Sequence, residues 1–286
     1  FDVSPFLGGT ERITDTLCRE FRKRCLCRCY LAYYEGIDSL YKKTVFDGRL
    51  CLGSRKNVAL LIDYIVKKDI DVVLLQGQLG LAKGIRQAIG KKIKIIFAHH
   101  LYPGVEREDV SWSNSVLKCW KSRGLMANML RLTAYPILKV KHLYALPLKY
   151  KDTYDYSDKV VLLSSELIQP FTAFGHIKDT DKFSVIPNTL SFDIFFPFEK
   201  IYEKEKVVLI VSRLVENPKR ISLALRSWKE LMSDDRLADW KLVIVGSGSD
   251  ENNYKSYVAE NDIKNIFQRK SEKEIKKTMK TILKMN

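Results

Sequence analysis

Val207-Val208-Leu209-Ile210-Val211-Ser212-Arg213-Leu214 and Lys241-Leu242-Val243-Ile244-Val245-Gly246-Ser247-Gly248 decide the fold. Each is a short β-branched run, apolar without alternation, that ends on small or charged residues, and between them Lys219 to Met232 reads as a helix. A continuously apolar strand is covered on both faces, as happens in parallel sheets flanked by helices. Strand, helix and strand in this order make a βαβ unit. A helix from Asp250 to Glu260 follows. No further strand reads convincingly before the lysine-rich stretch Arg269 to Asn286, so this domain is expected to be incomplete. Lys241 to Val245 would be its bare edge, and Leu223, Leu225 and Trp228 would be poorly covered.

The same alternation runs upstream. Cys25 to Tyr34, Asp71 to Gln76, Lys92 to Ala98, Lys159 to Ser164 and Lys182 to Pro187 read as strands. Thr10 to Phe21 places Ile13, Leu17 and Phe21 on one helical face, and Arg55 to Lys68 does so with Val58, Leu61, Ile62, Ile65 and Val66. From Asn188 to Lys206 the pattern breaks around Pro187 and Pro197. The organisation predicted is therefore an α/β domain over 1–190, a linker over 191–206 and a second, partial α/β domain over 207–286.

The chain has 286 residues, with 49 Lys and Arg against 34 Asp and Glu, a formal charge of +15. At 46% hydrophobic residues it can bury a sizeable core, which excludes disorder as the main state. No apolar run approaches the ~20 residues of a spanning helix, and no secretory segment opens the chain, which points to a cytoplasmic protein or a fragment. Cys18, Cys25, Cys27 and Cys29 cluster early; without a paired C-x-x-C knuckle or a nearby His pair they read as packed thiols and not as a zinc site.

Candidate chemistry collects after the strands. Gly8-Gly9-Thr10-Glu11-Arg12 stands where a strand would turn into a helix, so backbone N–H groups could face an anion there. A plain tight turn with Thr10 as helix cap gives the same pattern. His99 and His100 follow a strand directly, at the end where open α/β sheets bind ligands; there a ring can donate to a hydroxyl or phosphate or act as acid or base, though His99 could equally be a satisfied core residue. Arg213 ends one strand and Lys219 opens the next helix, so the pair is expected to converge as a diphosphate clamp, with Gly246 and Gly248 at the same edge. Between Asp109 and Asp152 no acid occurs while Lys118, Lys121, Arg123, Arg131 and further lysines are interleaved with Trp and Tyr, which suits an anionic membrane surface or a phosphorylated acceptor. Nucleic acid is not expected, because no helix-turn-helix, zinc-finger or RNP-like motif accompanies the charge.

On these residues the chain resembles the retaining glycosyltransferases of family 4. Gly8-Gly9-Thr10-Glu11-Arg12 is similar to their Gly-Gly-x-Glu-Arg opening, Val185-Ile186-Pro187-Asn188 to their interdomain segment, and Val211-Ser212-Arg213-Leu214 with Lys219-Arg220 and Lys241 to Gly248 to their donor-binding half. The resemblance implies a GT-B fold, two Rossmann-like domains facing a cleft, here with the second incomplete. It implies hexose transfer from a nucleotide-diphosphate sugar to a glycan or lipid-linked acceptor with retention of configuration and without metal or other cofactor, in cell-surface polysaccharide synthesis at the inner face of the membrane. Gly8 and Gly9 would face donor phosphates, His100 or His99 the transferred sugar, and Arg213 and Lys219 the diphosphate. The family's pair of glutamates eight positions apart has no match after Gly248, so the resemblance also implies a chain truncated at both ends and of doubtful turnover. The competing expectation is a non-catalytic remnant that binds anionic membrane or nucleic acid through its basic segment.

Overall fold

A computed structural model of the chain describes residues 9–24, 27–34, 45–53, 57–110, 133–189 and 205–269, together with Met129 and Glu199. The chain divides into two compact units, Phe1–Ser191 and Phe192–Asn286.

The first unit runs α1 (Gly9–Lys23), β1 (Tyr30–Tyr33), β2 (Gly48–Cys51), α2 (Val58–Lys67), β3 (Val72–Gln76), α3 (Leu81–Ile89), β4 (Lys94–His99), α4 (Tyr135–Tyr156), β5 (Lys159–Leu162), α5 (Ile168–Gly175) and β6 (Phe183–Val185). β3, β4, β5 and β6 form one sheet in that order, and β1 pairs with β2 in a second; every pairing is parallel. In-register neighbours include Gln76 opposite Ala98 and His99 opposite Leu162, so the carboxyl ends of β3, β4 and β5 reach one edge together. One apolar core joins both sheets, with Leu52, Leu75, Ile95, Phe97, Val160 and Leu162 packed against Leu61 and Ile65 of α2, Ile85 of α3, and Tyr150 and Phe171 of α4 and α5.

β2, α3, α4 and α5 were not foreseen from sequence. α4 is masked by its own composition: Pro136 sits in its first turn, Pro147 in its interior, and lysines interrupt the apolar spacing. It forms because Leu146, Tyr150, Thr153 and Tyr154 line one buried stripe, which offsets the lost helical bond at the proline. The strand expected from Cys25 begins only at Tyr30, so Cys27 and Cys29 precede β1; their sulfurs lie 3.8 Å apart, with Cys29 buried and Cys27 exposed.

The second unit runs β7 (Val207–Val211), α6 (Glu216–Lys219), α7 (Ile221–Leu231), β8 (Lys241–Val245), α8 (Glu251–Glu260) and β9 (Ile266–Arg269). Its sheet has the order β7-β8-β9, all parallel. This corrects the expected bare edge. β9 pairs with β8 from Leu242–Ile266 to Val245–Arg269, so β8 is the central strand, and Leu242 to Val245 are all buried. A four-residue strand ending on Gln268-Arg269 carries too little periodicity to be read alone. Leu225 and Trp228 are buried against expectation, and the Trp228 indole N–H donates to the Lys264 carbonyl at 3.1 Å, while Leu223 is exposed as supposed.

Candidate functional site

The carboxyl edge of the first sheet gathers groups from four places in the sequence. β3 ends on Gln76, and Gly77 turns the chain away at φ +73° while its N–H still bonds the Ala98 carbonyl. β4 ends on His99, and His100 follows. Beyond β6, the Ile186 N–H bonds the Leu162 carbonyl, which carries Asn188 up to the same edge. α1 begins at Gly9, and Thr14 in its second turn is buried against Gln76.

The two histidines part company here. His99 is 1% exposed, stacked on Phe97 with a centroid distance of 5.8 Å and edge-on to Tyr150 and Phe171. Its Nε2 lies 3.3 Å from the Tyr150 hydroxyl, which donates to Glu106 at 2.7 Å and accepts from the Gly104 N–H at 2.9 Å. Burial, helped by His100, pushes the His99 pKa down to about 4. His99 is thus a neutral ring in the core and does not share the edge with its neighbour, because consecutive residues at a strand end point to opposite faces. His100 is only partly buried. Its Nε2 pairs with the Gln76 carbonyl oxygen, and its Nδ1 is covered yet has no hydrogen-bond partner among the described residues. Burial lowers its pKa, with Asn188 opposing.

Packing does not account for Gly9: a Cβ there would meet nothing within 4 Å. Gly8, Lys118, Lys121, Arg123 and Arg131 lie outside the described residues. α4 is described, and Ile137, Leu138, Val140, Tyr144 and Leu148 are exposed along it beside Lys139 and Lys141.

In the second unit Arg213 follows β7 and is exposed, as is Lys219. Lys219 closes the short α6 and does not open the long helix as expected. Pro218 holds Asn217 in an extended conformation (φ −103°, ψ 117°), and Arg220 takes a left-handed one (φ 48°) before α7 starts at Ile221. Among the described residues neither Arg213 nor Lys219 makes an ion pair. Glu216 anchors this loop: it accepts from the Ser222 hydroxyl at 2.6 Å, the Ser222 N–H at 3.2 Å and the Tyr254 hydroxyl at 2.9 Å. The Ser222 bond holds its carboxyl below the usual range, with burial opposing. Gly246 and Gly248 serve the same loop. A Cβ on Gly246 would stand 1.8 Å from the Ser212 carbonyl oxygen, and one on Gly248 2.2 Å from that of Leu214. The Leu214 N–H bonds the Ser247 carbonyl, so the glycines let two backbones touch and thereby fix where Arg213 projects.

Gln76, Thr14 and Glu216 were missed as site residues. Gln76 had a readable signal, a polar side chain ending the otherwise apolar Val72-Val73-Leu74-Leu75. The other two left none: Thr14 acts through Gln76, distant in sequence, and Glu216 through Ser222 and Tyr254, a pairing that no local periodicity marks.

Among the described residues, no helix is long and apolar enough to cross a membrane, and no three His, Cys, Asp or Glu side chains group to hold a metal ion. Residues 191–285 match the family model described as glycosyl transferases group 1. Comparison with curated proteins finds no significant match. In structure, the chain is similar to WaaG, a glycosyltransferase involved in lipopolysaccharide biosynthesis, at 12% identity and a TM-score of 0.58, covering 98% of this chain and 71% of that one. It is also similar to a Listeria monocytogenes protein described as a UDP-N-acetylglucosamine 2-epimerase, at 10% identity and a TM-score of 0.50, covering 95% of this chain and 67% of that one. Similarity to S. aureus TarM, in complex with fondaparinux, α-GlcNAc-glycerol and UDP, is at 15% identity and a TM-score of 0.44, covering 78% of this chain. The chain spans 38% of the length of TarM. The parallel α/β fold is the one shared by these solved structures, GT-B glycosyltransferases among them, and the second unit is where the group 1 family model matches.

Proposed function

We propose that this protein is a glycosyltransferase that moves a hexose from a nucleotide-diphosphate sugar to a glycan or lipid-linked acceptor with retention of configuration, in cell-surface polysaccharide synthesis. The observation that carries the reading is the match of residues 191–285 to the group 1 family model, over the unit that presents Arg213 and Lys219 on the loop after β7. An epimerase shares the fold, so the fold alone does not separate the two chemistries; the family match favours transfer.

In the proposed reaction the acceptor oxygen forms a bond to the anomeric carbon as the bond from that carbon to the diphosphate oxygen breaks. The acceptor proton passes to the departing phosphate. Charge grows on the diphosphate, and two cations at the end of a strand stabilise it more in the transition state than in the ground state. On this reading Arg213 and Lys219 hold the diphosphate, the amino end of α1 with Gly8 and Gly9 meets phosphate or acceptor, and His100 contacts the sugar. No metal or other cofactor is required. The exposed apolar and cationic side chains of α4, from Ile137 to Leu148, support a peripheral stay at an anionic membrane, where a lipid-linked acceptor would lie.

The test is release of nucleoside diphosphate from a panel of nucleotide sugars by the full chain, with and without candidate acceptors. Acceptor-dependent release, with nucleoside diphosphate affinity falling in R213A and K219A by the ~1.5–3 kcal/mol of a charge-assisted contact, supports the proposal. Binding without turnover would leave the non-catalytic reading standing. Sugar isomerisation without release would point to the epimerase chemistry.

A further inference from the structure

We infer that Gln76, held by Thr14, is a positioning residue that keeps His100 protonated at Nε2 and so leaves Nδ1 as a bare acceptor for a hydroxyl donor. The inference takes from the proposed function only that the donor is a substrate hydroxyl; the hydrogen-bond relay stands on the structure.

In the structure the relay runs in one direction, from the ring to α1. The Thr10 carbonyl can only accept, and the Thr14 hydroxyl lies 3.1 Å from it. With the Thr14 proton placed there, the Thr14 oxygen accepts from the Gln76 amide nitrogen at 3.0 Å. That orients the Gln76 amide: its nitrogen faces α1 and its carbonyl oxygen faces His100. A carbonyl oxygen cannot donate, so the His100 Nε2 must carry the proton. Thr14 and Gln76 are each 7% exposed, which makes an unpaired arrangement costly inside the protein. A neutral imidazole protonated at one nitrogen accepts at the other; the Nδ1 of His100 is covered and makes no hydrogen bond of ordinary length among the described residues, although the nearby Asn188 side chain favours the charged ring.

The ring therefore offers an acceptor where a phosphate oxygen, which also accepts, would be repelled. It selects a group that brings a proton, such as a sugar or acceptor hydroxyl. The relay also ties the ring to α1, so the amino end of that helix and the histidine are held as one unit.

The experiment is histidine-selective 15N labelling of the full chain and long-range 1H–15N correlation at neutral pH, with H100Q assigning the His100 signals. The expected result is a bare Nδ1 and a protonated Nε2 whose N–H exchanges slowly with water. T14S, which keeps the hydroxyl, should preserve both features. T14V and Q76L should speed exchange of that N–H by about fivefold or more, the loss of one hydrogen bond. A proton on Nδ1 in the wild-type chain, or exchange unchanged in T14V and Q76L, would overturn the inference. The tautomer is read on the wild-type chain, so a variant that fails to fold does not remove the test. Should no nucleotide sugar turn over, the function is wrong while the relay is still decided by the spectrum. Where turnover is found, T14V and Q76L should lower kcat with little change in the KM for nucleotide sugar, and unchanged kcat would refute the positioning role.

Discussion

Replacing His99 with Phe should make the protein less sensitive to acid. The His99 ring is 1% exposed, and burial takes its pKa from the ordinary 6.5 to about 4. Below pH 6.5 the unfolded chain binds a proton at this ring that the folded chain refuses until about pH 4. The stability contributed by keeping the ring neutral is therefore complete above pH 6.5 and is lost as pH falls toward 4. The span of 6.5 − 4 = 2.5 pH units corresponds to about 3 kcal/mol at ~1.36 kcal/mol per unit. Phe keeps the ring contacts to Phe97, Tyr150 and Phe171 and gives up the bond to Tyr150, whose hydroxyl retains Glu106 and Gly104. Urea unfolding of both chains between pH 7 and 4.5 measures the effect. The stability difference, wild type minus H99F, should fall by about 2–3 kcal/mol across that range, because only the wild type carries the titration. A difference constant within ~0.5 kcal/mol, or a directly titrated His99 pKa near its ordinary value, would refute the buried neutral ring.

The remaining predictions test the other elements. G246A and G248A drive a Cβ into backbone carbonyls, so thermal denaturation should show a loss of about 3 kcal/mol in each, whereas G9A, whose Cβ meets open space, should stay within ~0.5 kcal/mol of wild type. In vesicle sedimentation the chain should bind anionic membranes and release in high salt, with each engaged cation worth ~1 kcal/mol, and equal sedimentation with neutral vesicles would count against a membrane-facing α4.

The second unit was the more legible half of the fold because its strands are self-sufficient signals. Val207 to Val211 and Leu242 to Val245 are apolar throughout, which marks both as strands; the central β8 is covered over Leu242 to Val245, whereas the edge strand β7 leaves Val208 and Val211 exposed, against the expectation of cover on both faces. β9 and α4 escaped for the opposite reason: Ile266 to Arg269 forms because β8 offers it a ladder, and α4 forms because the core accepts Tyr150 and Tyr154 despite Pro147. Local composition opposed both, and neighbours distant in sequence overruled it.

The amino-acid sequence alone determined that this is a parallel α/β protein in two parts and that Arg213 and the His99-His100 pair stand just at or after strand ends, since strand ends leave their marks in local residue order; the place of Lys219, at the close of a short helix, was not read from it. Which of two adjacent histidines enters the core and which meets the edge is not local information, because it depends on the phase of the β4 pleat against β5 and on what fills the space beside it. Nor is a hydrogen-bond relay: Thr14, Gln76 and His100 come from a helix, a strand end and the residue after another strand, and only their assembly links the Thr10 carbonyl to an imidazole three hydrogen bonds away.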